Sequence, residues 1–241
     1  MHGTFVPNAE PHARSAAPHP RGSTGAYHPT LPAEPTVPRN ALTYPAAPRP
    51  YLPPCVIATL GVLATHDADT ALHSERVTRL TTGFTTHLQW SDADVHAASV
   101  AAALHDIGKL SVCARLLRRA GPLTLTERAR MQRHAADGAT RAAQMPGVPS
   151  ASLRAIRSHH ERWDGAGYPD GLSAHDIPVL ARVIAITDAY DALTSARAYK
   201  APMPPQAALS VLDGDAARQF DPALLRRFGE WLRDAGDARP P

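Results

Sequence analysis

From residue 54 onward apolar residues recur at helical spacing, and the alternation typical of strands is nearly absent. Residues 54–70 open after a proline pair and carry Cys55, Val56, Ile57, Leu60, Val62 and Leu63, too dense for a surface strand. A second helical stretch covers 74–88. Ser91-Asp92-Ala93-Asp94 has the form of a capping box and starts an Ala-rich helix that runs to Leu104, with Gly108 beyond its end. Thr124-Leu125-Thr126-Glu127 repeats that start for a helix through about Met145, and Ser150 opens another that reaches His159 and His160. Pro178 suits the first turn of a long apolar helix over 178–195, Pro205 begins a shorter one, and Asp221-Pro222 begins the last, over 222–235. The loop 163–177, with Gly165, Gly167, Pro169 and Gly171, is irregular. The pattern predicts an all-α domain over 54–235, with about seven or eight helices and short connections.

The leading stretch is different. It holds 13 of the 24 prolines within residues 1–54, so it cannot bury enough apolar area to offset its ordering entropy. Residues 1–50 are expected to be a disordered, Pro-rich tail. Its four arginines and two acids supply +2 of the net +3, which leaves the folded part close to neutral. The pI near 9.1 therefore does not mark a surface for duplex nucleic acid. No run of eighteen apolar residues exists, which excludes a membrane-spanning helix. Cys55 and Cys113 stand alone, without the spacing of a disulfide framework or a thiolate metal site, and the first thirty residues show no secretory pattern. A reduced cytoplasmic compartment is expected.

Two residue types point to chemistry. The chain writes 23 of its 25 basic residues as arginine and keeps lysine only at Lys109 and Lys200. An ammonium and a guanidinium are not interchangeable beside a phosphate or a metal, so both neighbourhoods are candidates. The histidines form the second signal. His105-Asp106 follows an apolar helix and leads into Ile107-Gly108-Lys109, where buried charge needs partners that a divalent cation would supply. Adjacent His159 and His160 point about 100° apart on a helix, which suits two neighbouring ions better than one. Asp188 interrupts an apolar helix, and an ionised carboxylate there needs a cation or a donor. His73, His105, His134, His159 and Asp188 fall about one per helix, as ligands aimed at one centre of a bundle would. Histidine and aspartate without cysteine suit iron or manganese better than structural zinc.

The string His105-Asp106-Ile107-Gly108-Lys109-Leu110 and the segment from His159-His160-Glu161 through Gly165-Ala166-Gly167-Tyr168-Pro169 to Gly171-Leu172 resemble the HD-GYP family. That family belongs to the HD phosphohydrolase superfamily, and its members hydrolyse the bacterial second messenger cyclic di-GMP. The resemblance extends through Asp188-Ala189-Tyr190-Asp191-Ala192-Leu193-Thr194-Ser195 and Tyr199-Lys200, and covers roughly 54–235. It implies a helical bundle binding two divalent cations through His73, His105, Asp106, His134, His159, His160 and Asp188, with Asp106 shared between them. It implies Lys109 at the scissile phosphate, Arg197 and Lys200 on the rest of the substrate, Tyr168 beside the mouth, and pGpG or GMP as product. It implies as well that the GYP loop can serve as a surface for protein partners. Two departures stand out: Ala135 follows His134 where the family usually has proline, and Asp69-Thr70-Ala71-Leu72 lacks the customary aromatic and glycine. Asp69 lies one helical turn before His73, where most relatives carry a non-ligating residue and some with an acid hold three metals. Asp69 thus either joins a third metal or caps the helix near Thr70, the latter being the favoured reading. The alternatives are a broader nucleotide phosphohydrolase and an inactive, metal-containing module that binds cyclic di-GMP or a partner.

Overall fold

The computed structural model describes residues 50–119, 121–196 and 201–237. The expected tail, except Pro50, lies outside these residues, as do Arg197 and Lys200. The described chain is helical, its only β contact being an isolated bridge between Ala216 and Phe220. Its helices are α1 (Pro54–His66), α2 (Ala68–His87), α3 (Asp92–Leu104), α4 (Ala114–Leu117), α5 (Leu125–Gln132), α6 (His134–Ala142), α7 (Ser150–Ser158), α8 (Val179–Thr194), α9 (Pro205–Gly214) and α10 (Pro222–Asp237). Short 3-10 turns cover Ile107–Ser111 and Ala174–Asp176. No described helix is long and apolar enough to cross a membrane.

That is ten helices where the pattern predicts seven or eight, and the additions have local causes. The four-residue α4 is too short to leave a period in the sequence. The helix expected over 124–145 breaks before His134, whose ring nitrogen Nδ1 bonds the Met131 carbonyl at 2.7 Å, an acceptor that an unbroken helix would need. The first break also moves. Asp67 takes an extended conformation, and its carboxylate accepts from the Thr70 backbone N–H at 3.3 Å and from the Thr70 hydroxyl. Asp67, not Asp69, therefore caps α2, and His73 sits in the second turn of a longer helix. The starts read at Ser91 and Thr124 are as expected, the second with a complete capping box.

Helix α3 is the axis of the fold. Every residue from Ala97 to Leu104 is buried, so no face is left for solvent. Its alanines let α1, α7 and the first half of α8 pack closely, with Val56, Val77, Ile156 and Ile184 around them. A second apolar cluster joins the end of α2 to α8, α9 and α10, where Phe84, Tyr190, Phe228 and Trp231 stack edge to face and face to face. Most of the buried hydroxyls of α2 are paired: Thr78, Thr82 and Thr85 donate to carbonyls four residues back, and Thr82 and Thr81 reach Ser99 and Thr187 at 2.7 and 2.8 Å, while the Ser74 hydroxyl has no partner among the described residues. This packing carries the end of α3, the second turn of α2, the α5–α6 break, the end of α7 and the middle of α8 to one place.

Candidate metal centre

Three histidines are prepared in the same way. His105 ends α3, His134 begins α6 and His159 ends α7. Each directs Nδ1 at the carbonyl three residues back, Ala102, Met131 and Ile156 respectively, always at 2.7 Å. A carbonyl can only accept, so each Nδ1 carries the proton and each Nε2 presents a lone pair inward. The Nε2 of His105 is buried with no hydrogen-bond partner. His134 and His159 bring their Nε2 atoms to 3.2 Å of one another, two lone pairs face to face. Protonation would relieve that contact, but burial holds both imidazoles below their ordinary value, His159 far below, with neighbouring cationic groups adding to the shift. His160 is pushed down to about 4, again mainly by burial, and its ring lies 4.9 Å from that of His134. Buried, neutral, unsatisfied nitrogens aimed at one point fit a cation.

Asp106 joins two such groups. Among the described residues, His73, His105 and Asp106 form one set whose donor atoms lie within 4.8 Å of each other, and His134, His159 and His160 form another. The Asp106 Oδ2 atom faces His105 at 3.5 Å and His73 at 4.0 Å, whereas Oδ1 faces His134 at 3.4 Å. One carboxylate thus turns an oxygen to each set, the arrangement that a residue shared between two ions requires. Lys109 bonds the same Oδ2 at 2.6 Å. Burial opposes the charge on Asp106, but Lys109 and the surrounding histidines hold its carboxyl well below the usual range.

Asp188 contributes from α8, its Oδ1 at 2.9 Å from His73 Nε2. On the other side of that ring, Nδ1 bonds Asp191 Oδ2 at 2.7 Å. Burial would lower the His73 value, yet the two carboxylates prevail and raise it to about 9. In the absence of metal His73 is thus an imidazolium between two carboxylates. Asp191 itself is fully buried, bonded by Arg76 at 2.7 and 3.0 Å and by the Ser195 hydroxyl at 2.9 Å. Asp191 and Arg76 are absent from the set read from the sequence. The available signal was the spacing of Asp191 three residues after Asp188, which puts both on one face of α8.

Two glycines permit the close approaches behind the site. A Cβ on Gly108 would lie 1.9 Å from the His134 carbonyl oxygen, and one on Gly167 would lie 2.6 Å from the His160 carbonyl oxygen. The second lets the loop fold back over the His160 backbone, where the Tyr168 ring lies against that of His160 with centroids 4.8 Å apart. Burial, with Asp106 and Asp188 nearby, raises the Tyr168 phenol, so it remains a donor. Glu161 holds this loop: its buried carboxylate accepts from the backbone N–H groups of Asp170 at 2.7 Å and Leu172 at 3.1 Å. The seven residues expected to hold two ions therefore share one centre, with Lys109 and Tyr168 at its edge. Asp69 is exposed on the rim of the adjoining cavity and belongs to neither donor set.

Comparison with known proteins identifies the family and the fold. The HD domain family matches residues 61–224. The chain is 34% identical over 176 residues to a cyclic di-GMP phosphodiesterase of Thermotoga maritima, covering 72% of this chain and 48% of that protein. It is 39% identical over 166 residues to the cyclic di-GMP phosphodiesterase response regulator RpfG of Xanthomonas campestris, covering 66% and 44%. A 3'3'-cGAMP-specific phosphodiesterase 3 of Vibrio cholerae is 36% identical over 185 residues, covering 75% and 40%. The chain thus spans less than half the length of these relatives. The crystal structure of the V. cholerae cyclic GMP-AMP-specific phosphodiesterase V-cGAP3 shares the fold at a TM-score of 0.57 and 17% identity, over 75% of this chain and 48% of that one. With the family match running from within α1 to the start of α10 and the GYP loop lying against His160, the chain belongs to the HD domain family and, within it, to the HD-GYP group.

Proposed function

We propose that the chain is a metal-dependent phosphodiesterase that opens cyclic di-GMP to pGpG, GMP or both. The observation that carries this reading is Asp106, whose two oxygens face two separate donor sets, one of them containing lone pairs 3.2 Å apart. His73, His105, Asp188 and Asp106 would hold one ion, and His134, His159, His160 and Asp106 the other. Donors of this type favour iron or manganese. Asp69, one turn before His73, is the candidate ligand for a third ion. A bound pair of divalent cations supplies Lewis acidity at phosphorus and a water nucleophile at neutral pH.

The chain's own groups do the rest. Lys109, half-buried beside Asp106, is placed to offset charge on a non-bridging phosphoryl oxygen. Tyr168 keeps its proton and can donate to substrate at the mouth. Arg197 and Lys200 are assigned to the second phosphate or the guanine end on their motif positions alone. The test is hydrolysis of cyclic di-GMP, 3'3'-cGAMP, cyclic di-AMP and pGpG by metal-loaded and chelated protein. Metal-dependent opening of cyclic di-GMP, absent in the His105→Ala/Asp106→Ala double variant, supports the reading, and activity in that variant contradicts it. Lys109→Ala should keep metal and lose turnover. The 36% identity to a relative named for 3'3'-cGAMP favours that nucleotide as a second substrate, and the same panel ranks the two.

A further inference from the structure

The metal centre adjoins a cavity of about 330 Å³. His73 and Lys109 lie at its inner end, Leu72, Leu117 and Met131 line part of it, the carboxylates Asp67 and Asp69 stand on one side, and Arg118 is exposed at its rim. A cyclic dinucleotide carries two phosphodiesters in one ring. When one is held at Asp106 and Lys109, the other must lie in the space beside them.

The cations around that space are not equivalent. Lys109 is paired with Asp106, and Arg76 is bonded through two nitrogens to Asp191. Arg119, next along the chain, pairs with Glu127. Arg118 lines the same cavity as Lys109 and Arg76 and forms no ion pair with any described residue. Its backbone is fixed at the end of α4, with its N–H bonded to the Ala114 carbonyl at 3.0 Å. We infer that Arg118 binds the second phosphate of the cyclic dinucleotide and so positions the ring for attack on the first. A guanidinium can meet two phosphate oxygens at once. This rests on the phosphodiesterase reading above.

The test compares wild type, Arg118→Ala and Arg118→Lys on cyclic di-GMP and on bis(p-nitrophenyl) phosphate, which has a single phosphate. Loss of a charge-assisted contact should raise the KM of Arg118→Ala for cyclic di-GMP about tenfold, with partial recovery in Arg118→Lys. Rates on bis(p-nitrophenyl) phosphate should be unchanged. A KM for cyclic di-GMP within roughly twofold of wild type would overturn the assignment while leaving the phosphodiesterase reading intact. Equal loss on both substrates would also overturn it, since Arg118 would then be acting on the metal centre or the fold. If wild type cleaves bis(p-nitrophenyl) phosphate but no cyclic dinucleotide, the functional reading fails and the assignment falls with it.

Discussion

Replacing Gly108 with alanine would strike the joint between the His105-Asp106 segment and α6. The new Cβ would lie 1.9 Å from the His134 carbonyl oxygen and 2.7 Å from the Gly138 backbone nitrogen. Both neighbours are backbone, so no side chain can swing aside. Reaching a contact near 3.4 Å requires a separation of about 1.5 Å between the 3-10 turn and α6. Overpacking of this kind costs about 3 kcal/mol, the upper part of its usual range. For a domain of this size that corresponds to a melting temperature lower by roughly 6–12 °C. Because α6 begins at His134, the same shift moves an Nε2 that faces Asp106 at 3.4 Å and His159 at 3.2 Å, so metal content should fall with stability. Thermal melts with and without chelator, beside metal analysis, read both effects. Gly61→Ala is the control, since nothing lies within 4 Å of its Cβ, and alanine in α1 should be neutral or stabilising by up to about 1 kcal/mol. A Gly108→Ala protein with wild-type melting and a full metal complement would refute the reasoning.

Asp191→Asn removes the carboxylate that fixes His73 and should weaken metal binding about 10–100-fold, measured by competition with a chelator. Unchanged affinity would reduce Asp191 to a packing residue. Glu161→Gln takes one acceptor from the loop and should destabilise by roughly 1–3 kcal/mol, with faster proteolysis between residues 163 and 172. Proteolysis at the wild-type rate would count against Glu161 as the anchor. In metal-free protein the His73 value lies above its ordinary 6.5, so its stabilising contribution is complete below pH 6.5 and is lost as pH rises through about 9. Asp191, held at about 2 by His73 and Arg76 against its burial, contributes above its ordinary 3.8 and loses this as pH falls toward 2. Denaturant melts across pH should show the alkaline decline flattened in His73→Gln; an identical profile would show that His73 is not its source. Metal must displace the His73 proton, so affinity should rise between pH 7 and 9, and a flat titration there would contradict the assignment.

Some donor residues were legible because they break a local rule, whereas His73 and His134 were read from the one-per-helix spacing and the family resemblance. A His-Asp pair at the end of an all-buried alanine helix, and an aspartate inside the apolar run of α8, are costly unless something compensates them. The two lysines stood out for the same kind of reason, against a background of arginine. Helix ends were legible where a side chain near in sequence makes the cap, as at Ser91, Thr124 and Asp221. They were misplaced where the cause is distant or ambiguous. The break before His134 depends on its ring bonding Met131 and on the approach of Gly108, and Asp67 and Asp69 are equally good caps on paper. Asp191 was missed because its partner His73 lies 118 residues away.

The central claim is that two donor sets joined by Asp106 hold cations that drive phosphodiester hydrolysis. The most direct test is a titration of metal-depleted, anaerobic protein with Mn²⁺ or Fe²⁺, following cyclic di-GMP hydrolysis against metal equivalents per chain. Hydrolysis should be negligible without metal, rise with added ion and level off at two equivalents, or at three if Asp69 completes another site. Hydrolysis by the fully depleted protein, or none at saturation with either ion, would contradict the account.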